Sequence, residues 1–130
     1  MKRIAIVVTL LALSGCSFIT SLINPAKFDQ GEYSAIVDIR QILSHPELCK
    51  DSQLGLSQTL QYKVEWASKY SEFLPSNNDS FKMFTVLKEE ADKFVEISAT
   101  KTNPVYCKDK LEIMENQAKL IQRTLAKKVR

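Results

Sequence analysis

Apolar residues recur along most of this chain at steps of three and four, the spacing that lines one face of an α-helix. Only three glycines occur, and no run alternates β-branched and polar residues, so the pattern argues against a sheet. Four helices are predicted. The first, from about Gly31 to Ser44, turns Ile36, Ile39 and Leu43 inward, with Ala35 and Ile42 beside them. It stops at His45-Pro46, because a residue before proline is pushed out of helical geometry. The second spans about Ser52–Phe73 and carries two stripes, Leu56, Leu60, Val64, Ala67 and Leu74, then Tyr62, Trp66, Tyr70 and Phe73. So broad an apolar face suits a helix packed between two neighbours. The same aromatic stripe, left exposed, would anchor a partner.

The loop Leu74-Pro75-Ser76-Asn77-Asn78-Asp79 is rich in helix breakers. Asp79 is placed to cap a third helix running to about Ala99, whose face is Phe81, Phe84, Leu87, Ala91, Phe94 and Val95. Asn103-Pro104 opens the fourth with a capping side chain and a proline in the first turn. From there Cys107, Leu111, Met114, Ala118, Ile121 and Leu125 form a seam of nearly three heptads, read as a bundle core rather than an intermolecular coiled coil. The expected fold is all-α: a small antiparallel bundle of three long helices and one shorter, at residues 31–130, with short connections joining neighbours.

The first residues follow a different pattern. Lys2 and Arg3 precede the uncharged run Ile4–Leu13, which is about 15 Å long as a helix, roughly half a bilayer crossing. A basic start, a short apolar run and small residues after it mark an export signal at residues 1–15. Its end, Leu13-Ser14-Gly15-Cys16, resembles the lipobox of bacterial lipoproteins. The resemblance implies that Leu13, Ser14 and Gly15 are recognition positions. It also implies that Cys16 becomes a diacylated N-terminus, further acylated in many Gram-negative bacteria. Two or more chains hold a protein stably on a membrane, where one does not. By the same family analogy, Ser17 rather than aspartate permits transfer to the periplasmic face of the outer membrane. Residues 16–30 are then the lipidated end and tether, greased by Phe18, Ile19, Leu22, Ile23 and Phe28. Fully extended, the tether reaches no more than roughly 50 Å.

Removing the signal changes the composition. Taking Lys2 and Arg3 from the 18 basic residues leaves 16 against 15 acidic ones, which gives no sign of a nucleic-acid binder. Assigning Cys16 to lipid leaves Cys49 and Cys107 as an even pair in an oxidising compartment. Up-and-down topology puts both at one end of the bundle, so a disulfide is predicted. Closing a loop of about 58 residues, it would contribute on the order of 4 kcal/mol by chain entropy.

Catalytic chemistry is hard to find. His45 is the only histidine, and no phosphate loop, nucleophile motif or metal-ligand spacing occurs. His45 suits a helix C-terminus, and Glu89, Glu90, Asp92 and Glu96 suit a solvated acidic face. The expectation is a non-enzymatic protein with no metal, no cofactor beyond the lipid on Cys16, and no small-molecule substrate. Residues 119–130 carry Lys119, Arg123, Lys127, Lys128 and Arg130 with no acid. That cluster complements a helix C-terminus, and would equally meet lipid headgroups, cell-wall polymer or an acidic partner. The leading expectation is a membrane-anchored binding or structural component of the cell envelope, meeting an envelope protein or the cell wall. Tyr62, Trp66 and Tyr70 are its candidate apolar anchors, and Arg123, Lys127, Lys128 and Arg130 its candidate anionic-surface contacts. The alternative is a phage-, prophage- or plasmid-encoded exclusion lipoprotein that blocks adsorption, DNA entry or conjugation.

Overall fold

A computed structural model describes residues 27–129. The lipobox positions Leu13, Ser14, Gly15 and Cys16, the tether up to residue 26, and Arg130 lie outside the described residues. The described residues hold four α-helices in order: α1 Gln30–Leu43, α2 Gln53–Glu72, α3 Asn78–Thr100 and α4 Pro104–Ala126. Short 3-10 turns at Pro46–Lys50 and Lys127–Val129 complete the chain, and the described residues contain no strand.

Successive helices are antiparallel, and α1 also packs on α4, so the bundle closes on itself. Cross-helix pairs fix the register: Gln61 bonds Asp92 at 2.9 Å between α2 and α3, and Gln122 bonds the Tyr33 hydroxyl at 3.0 Å between α4 and α1. Each inward stripe meets the others in one core, where Ile36, Leu60, Val64, Phe84, Leu87, Phe94, Met114 and Leu125 have no exposed surface. The whole α4 seam from Cys107 to Leu125 is buried there, as a bundle core requires. Leu74, Phe81 and Val95 sit at its edge, half-buried.

Local chemistry sets the helix ends. Asp29 accepts from the Glu32 amide at 2.9 Å to start α1, and Ser52 accepts from the Gly55 amide at 3.1 Å to start α2. Asn103 accepts from the Val105 and Tyr106 amides, with Pro104 following as the spacing predicted. The start of α3 differs from expectation. The helix begins at Asn78 with Asn77 as its cap residue, so Asp79 falls inside the first turn and pairs with Lys128 at 2.9 Å. Asn77 makes no side-chain cap bond; its side-chain NH2 instead donates to Glu32 at 3.0 Å. Its own amide oxygen is buried without a partner.

The two ends of the bundle are built differently. At one end Cys49, in the turn after α1, is bonded to Cys107 in the first turn of α4, with Cα atoms 5.9 Å apart. Buried Gln53 reinforces that end, donating to Ser98 Oγ at 3.0 Å and the Lys101 carbonyl at 3.3 Å. It also accepts from the Asn103 amide at 2.9 Å. At the other end, where residue 27 enters, the buried Glu32 carboxylate accepts from Ser71 and Ser80 hydroxyls at 2.6 Å each. With Asn77 these three donors come from α2, the α2–α3 loop and α3, so one side chain on α1 ties three segments together. Glu32 also stands in the first turn of α1, where a carboxylate complements the helix N-terminus.

Candidate functional site

The feature with the most unsatisfied binding potential is a groove between α1 and α2. Its floor comes from Gly31, Ser34, Ala35 and Asp38, which recur at helical spacing along one face of α1 and are too small to fill the space beside α2. Its wall comes from Tyr62, Lys63 and Trp66 on α2. The groove, open to solvent along one side, has a volume of about 380 Å³. A second depression shares Asp38 and Lys63 and continues past Ile42 and His45 to Leu48, so the cleft extends toward the disulfide end.

The aromatic stripe is therefore not shared between two neighbouring helices, as its breadth suggested. Tyr62 is 72% exposed and Trp66 49%. Tyr70 differs: its ring stacks on Trp66 with centroids 5.1 Å apart and planes 11° from parallel, and it leans over α1. A β-carbon at Gly31 would stand 2.5 Å from the Tyr70 hydroxyl oxygen, so glycine is what permits that approach. Burial, followed by the neighbouring Asp29 carboxylate, pushes the Tyr70 hydroxyl above its ordinary value. Tyr70 thus braces one face of the indole while Trp66 and Tyr62 front the groove. Phe73 is 84% exposed but stands beyond the groove, at the end of α2.

The basic residues are dispersed in their roles. Lys128 is committed to Asp79, with its side chain only 7% exposed, and approaches Ser80 Oγ at 3.4 Å. Burial works to raise the Asp79 carboxyl, but the Lys128 contact and the Ser80 amide hold it below its ordinary value. Lys119 pairs with Glu115 at 3.3 Å, while Arg123 and Lys127 are exposed. The anionic-surface set thus reduces, among the described residues, to Arg123 and Lys127 with Lys128 beneath them.

The acidic face of α3 is likewise less solvated than its sequence implied. Glu90 pairs with the nearly buried Lys110 of α4, whose hydrogen bond, opposed by burial, holds the Glu90 carboxyl below its ordinary value. Burial and the nearby Glu90 charge push the Tyr106 hydroxyl up. Asp92 takes Lys88 and Gln61. His45 lies 2.6 Å from Glu47 on the surface, an exposed contact at the end of the depression that begins at Asp38. Among the described residues no group of three His, Cys, Asp or Glu is placed to hold a metal, and no helix is long and apolar enough to cross a membrane.

Sequence reasoning named both groove aromatics but missed the α1 side. The signal was available: Gly31, Ser34, Ala35 and Asp38 form a stripe without a large side chain, opposite the aromatic one. It missed Glu32 too, although Asp29-x-x-Glu32 has capping-box spacing. Comparison with protein-family profiles, curated proteins and solved structures gives no match.

Proposed function

We propose that this chain is a membrane-anchored envelope lipoprotein that binds a protein or cell-wall partner through the α1–α2 groove. The observation that carries the reading is the exposure of Tyr62 and Trp66 beside a groove floored by small residues. Large aromatic side chains left in water at a concavity are the usual anchors of a binding surface, because a partner recovers their full apolar area at little entropic cost. The rest of the molecule serves as a rigid holder. A disulfide and Gln53 fasten one end, Glu32 fastens the other, and Tyr70 supports the indole from behind. The lipobox resemblance at Leu13–Cys16 supports the anchor, which confines the groove to the vicinity of a membrane.

Two variants test the two halves separately. Cys16→Ser should release the chain from the membrane fraction and abolish labelling by a radioactive fatty acid; retention of label would refute the anchor. Trp66→Ala should remove the partner complex seen after crosslinking in intact cells, with thermal stability nearly unchanged. An undiminished complex would refute the groove.

A further inference from the structure

We propose that the end of the bundle carrying the N-terminus of α1 lies against an anionic lipid surface, with Phe73 in the headgroup region. This rests on the anchored-lipoprotein reading and adds an orientation to it. Lys27 stands three residues before α1, so the chain leading back to Cys16 leaves from this end. Those eleven steps reach at most about 40 Å, whereas the disulfide end is a further 30 Å away along α2. Only a tether stretched along the whole bundle would bring the disulfide end to the lipid, so topology favours the end where residue 27 enters.

That end is also chemically suited to lipid. Phe73, at the α2 terminus, is the most exposed of the large apolar side chains among the described residues at 84%, and Val129 beside the last helix is 65% exposed. Aromatic rings favour the bilayer interface. Lys27, Arg123 and Lys127 are exposed at the same end; of the acids there, Asp79 is neutralised by Lys128 and Asp29 caps α1, which leaves exposed Glu72 against three cations. Near a negatively charged leaflet each such cation is attracted within a Debye length. The tether makes the contact intramolecular, so even a weak surface is engaged at high effective concentration. Along α2, Trp66 stands about 10 Å and Tyr62 about 16 Å above Phe73. The groove then opens beside the membrane rather than into it, which presents it to a membrane-proximal partner.

The single tryptophan gives the test. The lipidated chain, purified from membranes, is placed in vesicles containing anionic lipid with brominated acyl chains. Wild type reports from Trp66; a Trp66→Phe/Phe73→Trp double variant reports from the tip. Quenching about twofold or more stronger at position 73 than at 66 is expected, and charge-neutralising Lys27→Gln, Arg123→Gln and Lys127→Gln should reduce it without releasing the chain. Equal quenching at both positions, or stronger quenching at Trp66, would overturn the orientation. A chain that lacks lipid and fails to sediment with vesicles would instead overturn the anchor reading on which the orientation rests.

Discussion

The disulfide end and the tether end of this bundle solve one problem, fastening helix termini, with opposite chemistry. At the first, a covalent bond between Cys49 and Cys107 and the three hydrogen bonds of Gln53 hold α1, α2 and the α3–α4 connection together. At the second, a buried carboxylate on α1 draws donors from three segments, and Lys128 closes over Asp79 outside it. A disulfide acts mainly on the unfolded chain, whereas a buried acceptor acts on the folded one, where every donor aimed at it must be satisfied. The difference teaches that the end facing the proposed membrane is the one held by reversible contacts, and that its rigidity depends on one side chain.

Breaking the covalent end should have the largest effect. Reduction, or Cys49→Ser with Cys107→Ser, should lower unfolding free energy by on the order of 4 kcal/mol, measured by denaturant titration. Hydrogen exchange should then loosen first at Pro46–Lys50 and the start of α4. Breaking the polar end should cost slightly less. Glu32→Leu leaves the Ser71 hydroxyl and the Asn77 amide without an acceptor, while Ser80 keeps the Asn77 carbonyl at 2.9 Å, a loss of about 3 kcal/mol. Exchange in that variant should rise at the start of α3 and leave the disulfide end protected; a uniform rise would erase the distinction between the ends.

Smaller effects sharpen the comparison. Gln53→Leu should cost about 2 kcal/mol by leaving the Asn103 amide and Lys101 carbonyl unmatched, and it should act additively with Glu32→Leu, since the sites lie at opposite ends. The Glu90–Lys110 pair lies between them and gives a pH signature. Because Lys110 holds the Glu90 carboxyl below its ordinary 4.5, the pair's contribution is complete above that pH and is lost as pH falls through the depressed value. Glu90→Gln should therefore flatten part of the acid limb of the stability curve; an unchanged limb would assign the acid sensitivity elsewhere. Trp66→Ala should change stability by less than about 1 kcal/mol, because the indole is half in water.

How far each end was legible in the sequence follows from the same contrast. Cys49 and Cys107 are paired by counting and by loop topology, and the α4 seam states its own burial through spacing. Glu32 shows in the sequence only as a capping-box spacing after Asp29; its burial depends on Ser71, Asn77 and Ser80 arriving from other segments. Residue type alone gives Asp79 a capping role, yet α3 begins at Asn78 and Lys128, 49 residues away, claims the carboxylate. The aromatic stripe and the small-residue stripe of Gly31, Ser34, Ala35 and Asp38 are each recognisable, but the exposure of the aromatics follows only from the two facing one another across the groove. Apolar spacing within one helix was readable, and the disulfide was readable by counting; polar residues whose partners come from several segments were not.

The claim that the groove is the binding surface is tested most directly by a photo-crosslinking amino acid placed at position 62 and, as control, at exposed position 120 on α4, in intact cells. A discrete adduct from position 62, lost on Trp66→Ala and absent from position 120, is the predicted result. Adducts of equal yield from both positions, or none from 62, would contradict it.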